Sequence, residues 1–316
     1  MKKIFLMIAP IIFILIISVS YFHTLENSNN ETISASIIIT KNFGNYTIQQ
    51  DDITIPKGTS ALEALKKVAK VETNYGGGFV SSINNLRSNY PDKKFDWFYY
   101  VNGFLANKGA ASYIINEGDL IRWDYHTWEF HHQSAILADY PRQIINGYEG
   151  RASPTIILYE NDFLNDALSI KRQLNNKFGI NATCMPINKL SIKEKSISNL
   201  IIIARSNNEF ISDLNEINAK IGFFAFFDQE NIIETDYSGT PYRHHTKAGM
   251  IQITQNVWNP KGTYACENII LLISGNDLEL IHKSSQILIQ ELPQLKNCYG
   301  LIVTEEELHE LPRSKT

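Results

Sequence analysis

Cysteine is scarce in this chain: three residues in 316, Cys184, Cys266 and Cys298. An odd number leaves at least one thiol unpaired or pairs it outside the chain. Their spacing does not match the ligand pairs of a zinc site. Cys266 and Cys298 each precede an expected strand. The residues are therefore compatible with a Cys266–Cys298 disulfide in an oxidising compartment, and equally with three buried thiols. Basic clusters are scarce too. Lys and Arg number 29 against 33 Asp and Glu, the formal net charge is -4, and no basic block follows the N-terminus. Phosphate neutralisation needs clustered cations, so nucleic acid is excluded as a partner. No P-loop, nucleophile elbow or HExxH segment occurs. Carboxylates are plentiful, but no pair stands out by spacing. No catalytic residue is assigned, and a binding role is favoured over an enzymatic one.

Long apolar runs are also lacking, with one exception. Met1-Lys2-Lys3 is followed by an almost unbroken apolar stretch from Ile4 to Ser20. Two lysines before such a run keep the N-terminus inside and carry the rest of the chain out. Its length falls between a signal-peptide core and a spanning helix. Residues 1–22 are thus expected to be a signal peptide or membrane anchor, placing the remainder outside the cytoplasm. Ser18-Val19-Ser20 is a small-x-small cleavage pattern, and no Cys follows for lipid attachment.

What the sequence does contain is a dense aromatic segment between Phe95 and Tyr125. Ahead of it, Ser34–Thr40 and Tyr46–Ile55 read as strands joined at Gly44-Asn45. Ser60-x-x-Glu63 is a capping box opening a helix striped by Ala61, Leu65 and Val68. Tyr75-Gly76-Gly77-Gly78-Phe79 admits unusual backbone conformations, and a short strand follows. Trp97, Tyr99 and Val101 alternate with Phe98 and Tyr100 in a strand apolar on both faces. Asn102-Gly103 is a strong hairpin signal. Leu120 to His126 alternates again, with Ile121, Trp123 and Tyr125 opposite Arg122, Asp124 and His126.

Strand, strand, helix and further short strands predict an α+β, β-grasp-like domain over residues 33–130. The segments "IPKGTSALEALKKV", "GGGFVSSIN", "DWFYYVNG" and "ASYIINEGDLIRWDY" resemble the transcobalamin-like C-terminal domain family. The resemblance spans roughly residues 36–128. It implies an exported β-grasp-type domain also found in vitamin B12 carriers, and hence a corrinoid, cobalamin, as ligand; no other cofactor is assigned. In the carriers a separate helical domain holds most of the corrinoid, and this chain has no such helical repeat.

Flat aromatic surfaces bearing a few polar groups suit large amphipathic ligands. One face of each strand must still pack on the helix. Trp97, Tyr99, Ile121 and Trp123 are expected mostly in the core. Candidate ligand contacts are Gly76, Gly77, Gly78, Phe79, Phe98, Tyr100, Asn102, Tyr113, Arg122, Trp123, Asp124 and Tyr125. His126, His131 and His132 are weaker metal-ligand candidates, because imidazole ligates readily but their spacing matches no standard signature. His244-His245 lies in a stretch rich in Gly, Pro and Thr, and is expected to be a solvated loop.

Residues 131–153 carry Pro and Gly and read as a linker. Beyond it, residues 154–310 alternate strands and helices. Leu164 to Phe178 is striped and stopped by Gly179, and Leu200–Ala204 is a continuous apolar run. An α/β layered domain with a largely parallel sheet is expected. The leading reading is an exported, membrane-tethered or cell-surface ligand-binding protein serving corrinoid uptake, with a membrane transporter as a partner. A cell-surface structural or adhesion protein is the alternative. A surface enzyme acting on carbohydrate or envelope polymer is the third.

Overall fold

The computed structural model describes residues 31–89, 92–128, 133–290 and 297–312. The expected export segment and His131 and His132 lie outside them. Among the described residues, no helix is long and apolar enough to cross a membrane.

The N-terminal part forms strands β1 (Thr32–Lys41) and β2 (Tyr46–Pro56), helix α1 (Ala61–Val68), then β3 (Val71–Asn74), β4 (Phe79–Ile83) and β5 (Leu86–Arg87). Strands β6 (Phe95–Val101), β7 (Phe104–Leu105) and β8 (Asp119–Thr127) complete it. The main sheet runs β2-β1-β8-β6-β7, and β3-β4-β5 make a separate small sheet. First and last strands, β1 and β8, lie parallel at its centre. Helix α1 begins where the capping box predicts. The Ser60 hydroxyl accepts from the Glu63 amide at 3.2 Å, and the Glu63 carboxylate accepts from the Ser60 amide at 2.9 Å. The helix buries Ala61, Leu62, Ala64 and Leu65 against Ile37, Ile39, Ile121 and Trp123 on one face of the sheet. Each fully buried aliphatic side chain there contributes roughly 1.5–3 kcal/mol.

A short helix α2 (Arg142–Ile145) follows, then β9 (Thr155–Tyr159), α3 (Leu164–Phe178), β10 (Thr183–Pro186), α4 (Ile192–Ile197), β11 (Asn199–Ile203) and α5 (Glu209–Glu216). Strands β12 (Ala225–Asp228), β13 (Asn231–Thr235), β14 (Pro241–His245), β15 (Gly249–Gln255) and β16 (Ile269–Gly275) come next. Helix α6 (Leu278–Gln290) and strands β17 (Gly300–Val303) and β18 (Leu308–Leu311) end the chain's described part. The large sheet is ordered β10-β9-β11-β16-β15-β17-β18. Gly179 stops α3 in the left-handed conformation, φ 70°.

Three expectations are corrected here. The large sheet is mixed, not largely parallel: β10, β9, β11 and β16 are parallel, whereas β15, β17 and β18 join antiparallel. The expected loop at His244-His245 is strand β14, paired with β13 in a three-stranded sheet. The expected linker is packed rather than free. Within it Ile136 and Leu137 are fully buried, Ala135 bridges to Phe104, and the Gln143 amide donates to the Ile136 carbonyl at 2.8 Å. Apolar residues between the Pro and Gly signals give this segment a core of its own to join. The three cysteines are free thiols, so the alternative without a disulfide holds.

Candidate functional site

The sheet formed by β1, β8 and β6 has two interior faces. Register places Trp97 opposite Tyr125, Tyr99 opposite Trp123, and Val101 opposite Ile121 on the helix side. Trp97, Ile121 and Trp123 are buried, Tyr99 is half-buried, and the Tyr99 and Trp123 rings stack at 4.9 Å. The opposite face carries Phe98, Tyr100, Arg122, Asp124 and His126, with Thr40 from β1. It meets the C-terminal part of the chain instead of solvent. Tyr100 packs edge-on against Tyr299 at 6.0 Å, and Phe43 against Phe224 and Tyr299 at 5.5 Å each. Gly44 makes the close approach possible: at φ +80°, a Cβ there would sit 2.1 Å from the Asn297 carbonyl oxygen.

Burial, on this face and on the helix side, corrects the assignment of several candidate contacts. Tyr100, Asn102, Tyr113, Arg122, Trp123 and Asp124 are all 2 % exposed or less. Apart from the Trp123 indole N–H, which is buried without a hydrogen-bond partner, their polar atoms serve the fold. The Asn102 amide donates to Asp119 at 2.7 Å and to the Gly147 carbonyl at 2.9 Å. Tyr113 donates to Asp119 at 2.9 Å. Arg122 binds Asp139 and Asn297. Tyr125 is half-buried, and its hydroxyl donates to the Arg87 carbonyl at 2.8 Å, pinning β5 of the small sheet to the five-stranded main sheet.

Asp124 and His126 form the most polar point of the seam. The Asp124 carboxylate accepts from the Thr40 hydroxyl at 2.5 Å and from the Phe43 and Gly44 amides at 3.0 Å each. It also meets His126 Nδ1 at 2.6 Å. Burial alone would raise the Asp124 carboxyl. The hydrogen bond and charge of His126, with the Thr40 and Gly44 donors, outweigh it and hold the group below the usual carboxylate range. The His126 ring is sandwiched between Phe98 at 4.2 Å and Phe43 at 4.3 Å. Its Nε2 is buried without a hydrogen-bond partner beside a cleft of about 220 Å³ lined by Phe43, Phe95, Tyr237 and Pro312.

A larger groove, about 520 Å³, lies between the small sheet and the start of β6. Phe79, Arg87, Asp96 and Trp128 line it, and Tyr75 stands at its edge, 90 % exposed. Of the predicted contacts, Phe79 lies in this groove, and Gly76, Gly77 and Gly78 form the turn between Tyr75 and Phe79. Asp96 places one carboxylate oxygen on the Trp128 indole N–H at 3.0 Å. The other, Oδ1, is buried without a hydrogen-bond partner. Arg87 pairs with Glu72 at 2.6 Å on the opposite wall. Asp96, Arg87 and Trp128 were not legible as a group. They lie in three segments, and only the triple glycine and Phe79 beside it carried a signal.

Among the described residues, one further cluster has metal-ligand chemistry: Glu234, His245 and His309, all buried.

Residues 58–127 match a family model described as "Domain of unknown function (DUF4430)". That range takes in every groove residue named above except Trp128. Among solved structures, the chain is similar to haptocorrin in complex with Cbi, at 19% identity and a TM-score of 0.27, over 31% of this chain and 25% of that one. It is also similar to a protein from Ruminococcus gnavus described as a "putative metal binding protein", at 13% identity and a TM-score of 0.24, over 30% of this chain and 97% of that one. The chain therefore spans a quarter of the haptocorrin length. No curated protein matches it.

Proposed function

We propose that the chain is an extracytoplasmic, membrane-tethered ligand-binding protein whose site is the groove between Tyr75 and Trp128, with a corrinoid as its ligand class. The observation that carries the site is Asp96, a residue lining an aromatic-lined groove, whose Oδ1 is buried just beneath the surface without a hydrogen-bond partner. A buried acceptor left unmade costs roughly 1–3 kcal/mol, and more when charged. A ligand N–H arriving there recovers that cost. Corrinoids carry a rim of amide donors around a broad apolar plane. Tyr75 and Phe79 supply the flat contact, and Asp96 the acceptor.

Size favours this groove over the seam cleft. Drug-sized ligands occupy pockets of about 300–1,000 Å³. The groove, at about 520 Å³, falls in that range, and the cleft beside His126, at about 220 Å³, does not. Clefts of about 340 Å³ and 540 Å³ elsewhere on the chain fall in it too, and the Tyr75, Phe79 and Trp128 rings around Asp96 single out this one. The β-grasp-type reading of residues 33–130 rests on the family resemblance together with the parallel pairing of β1 with β8 across α1. Export and tethering rest on the Lys2-Lys3 start and the apolar run after it. A transporter partner follows from an uptake role.

Titration of the full chain in detergent with cobalamin, followed by visible absorbance and equilibrium dialysis, tests the proposal. Saturable binding near one equivalent is expected. Absence of retention at millimolar protein contradicts the corrinoid assignment. Binding that survives loss of the Asp96 carboxylate unchanged contradicts the groove.

A further inference from the structure

We propose that Glu234, His245 and His309 bind a divalent transition-metal ion of the zinc class, tying the last described strand, β18, to the β13–β14 hairpin. This site is separate from the ligand groove and does not depend on it.

The three residues come from two sheets. Glu234 on β13 pairs with Arg243 on β14, so His245, two residues further along β14, projects from the same face. His309 reaches that face from β18, the edge of the seven-stranded sheet. Their exposures are 0 %, 7 % and 2 %. Glu234 Oε2 lies 2.9 Å from His245 Nε2 and 3.3 Å from His309 Nδ1, and all three donor atoms fall within 4.8 Å of one another. Zinc–nitrogen bonds of about 2.0–2.1 Å imply a tetrahedral edge of roughly 3.3 Å, so the donors are already spaced as ligands.

The surroundings of His309 fit a ligand role. Its Nε2 faces the Glu307 carboxylate at 3.0 Å, the outer-shell arrangement common to metal-bound histidines. Its Nδ1 faces Glu234 Oε2 at 3.3 Å, and Arg243 Nη1 lies 3.0 Å from Nδ1 and 3.4 Å from Nε2. A cation between Nδ1 and Oε2 would take both as ligands. A second, independent observation is Glu234 Oε1, which is buried without a hydrogen-bond partner. The Arg243 side chain is 38% exposed, and its displacement toward solvent would clear His309 Nδ1 for the ion. Three protein ligands leave a fourth position for water or Glu234 Oε1.

The test uses the full, tag-free chain in detergent, stripped with EDTA and titrated with cobalt(II), then with zinc. Expected are one equivalent of cobalt with the intense visible absorption of tetrahedral coordination, and displacement by zinc. H245A and H309A should weaken binding at least 100-fold. Glu307→Gln should weaken it about 10- to 100-fold, as loss of an outer-shell partner does. Arg243→Ala should retain or tighten it. Substoichiometric binding by the wild type overturns the proposal. So does unchanged affinity in the two histidine variants. If those variants fail to fold by circular dichroism, the other two decide: wild-type affinity in Glu307→Gln, or loss of binding in Arg243→Ala, also overturns it.

Discussion

Arg122 on β8 grips Asp139 with both Nε, at 3.1 Å, and Nη2, at 2.5 Å, in a pair that solvent scarcely reaches. Its remaining nitrogen donates to Asn297 at 2.7 Å. One guanidinium thus joins the N-terminal sheet, the segment after it and the turn before β17. Breaking a buried pair by removing one partner leaves an uncompensated charge, at a cost of roughly 3–5 kcal/mol. R122A is expected to lose that much in urea denaturation, and Arg122→Met with Asp139→Leu to lose much less. A loss below about 1 kcal/mol in R122A, the size of an exposed pair, would show that the seam does not hold this pair dry.

Asp124 gives the fold an acid limit. Its folded carboxyl titrates below the ordinary range. The stability it contributes is therefore present above the unfolded value, near 3.9, and is lost as pH falls through the lower folded value. Asp124→Asn is expected to be less stable than wild type at neutral pH by about 1.5–3 kcal/mol, the worth of a hydrogen bond to a charged group. The gap should close below the folded titration point. Thermal melts from neutral to acid pH measure this, and parallel curves for the two proteins would contradict it.

The thiols should sort by burial. Burial pushes Cys266 up to about 12 and Cys298 in the same direction; it raises Cys184 too, but that thiol is only half-buried and stays within reach of solvent. The thiolate is the reactive form. A disulfide-exchange reagent at about pH 8 is expected to titrate no more than Cys184 in the folded protein and three thiols after denaturation. One thiol after denaturation would reveal a Cys266–Cys298 bridge.

Local elements were legible because their signals are local. The Ser60–Glu63 box, the Asn102-Gly103 turn and the Gly179 stop each lie within four residues of what they decide. The seam was not. Arg122, Asp124 and His126 alternate with apolar residues, the mark of a sheet with one wet face. What dries that face is Phe43, Phe224, Asn297 and Tyr299, with Asn297 lying 175 positions from the Arg122 it binds. Strands β14 and β18 were not legible because Pro241, Arg243, His244 and His309 interrupt any apolar alternation, and β13 offers only Ile232-Ile233 between polar residues. Two of those strands and the third carry the proposed metal ligands, so the polarity that hid them is also their chemistry.

The most direct test of the binding account is equilibrium dialysis of cobalamin against wild type, Asp96→Asn and Tyr75→Ala, with H126A as a seam control. Asp96→Asn and Tyr75→Ala alter a groove-lining residue and a 90 % exposed ring, so folding should be retained. The account predicts saturable binding to wild type, at least tenfold weaker binding to each groove variant, and wild-type affinity in H126A if that variant folds. Equal affinity across wild type and both groove variants, or no binding by wild type, would contradict it.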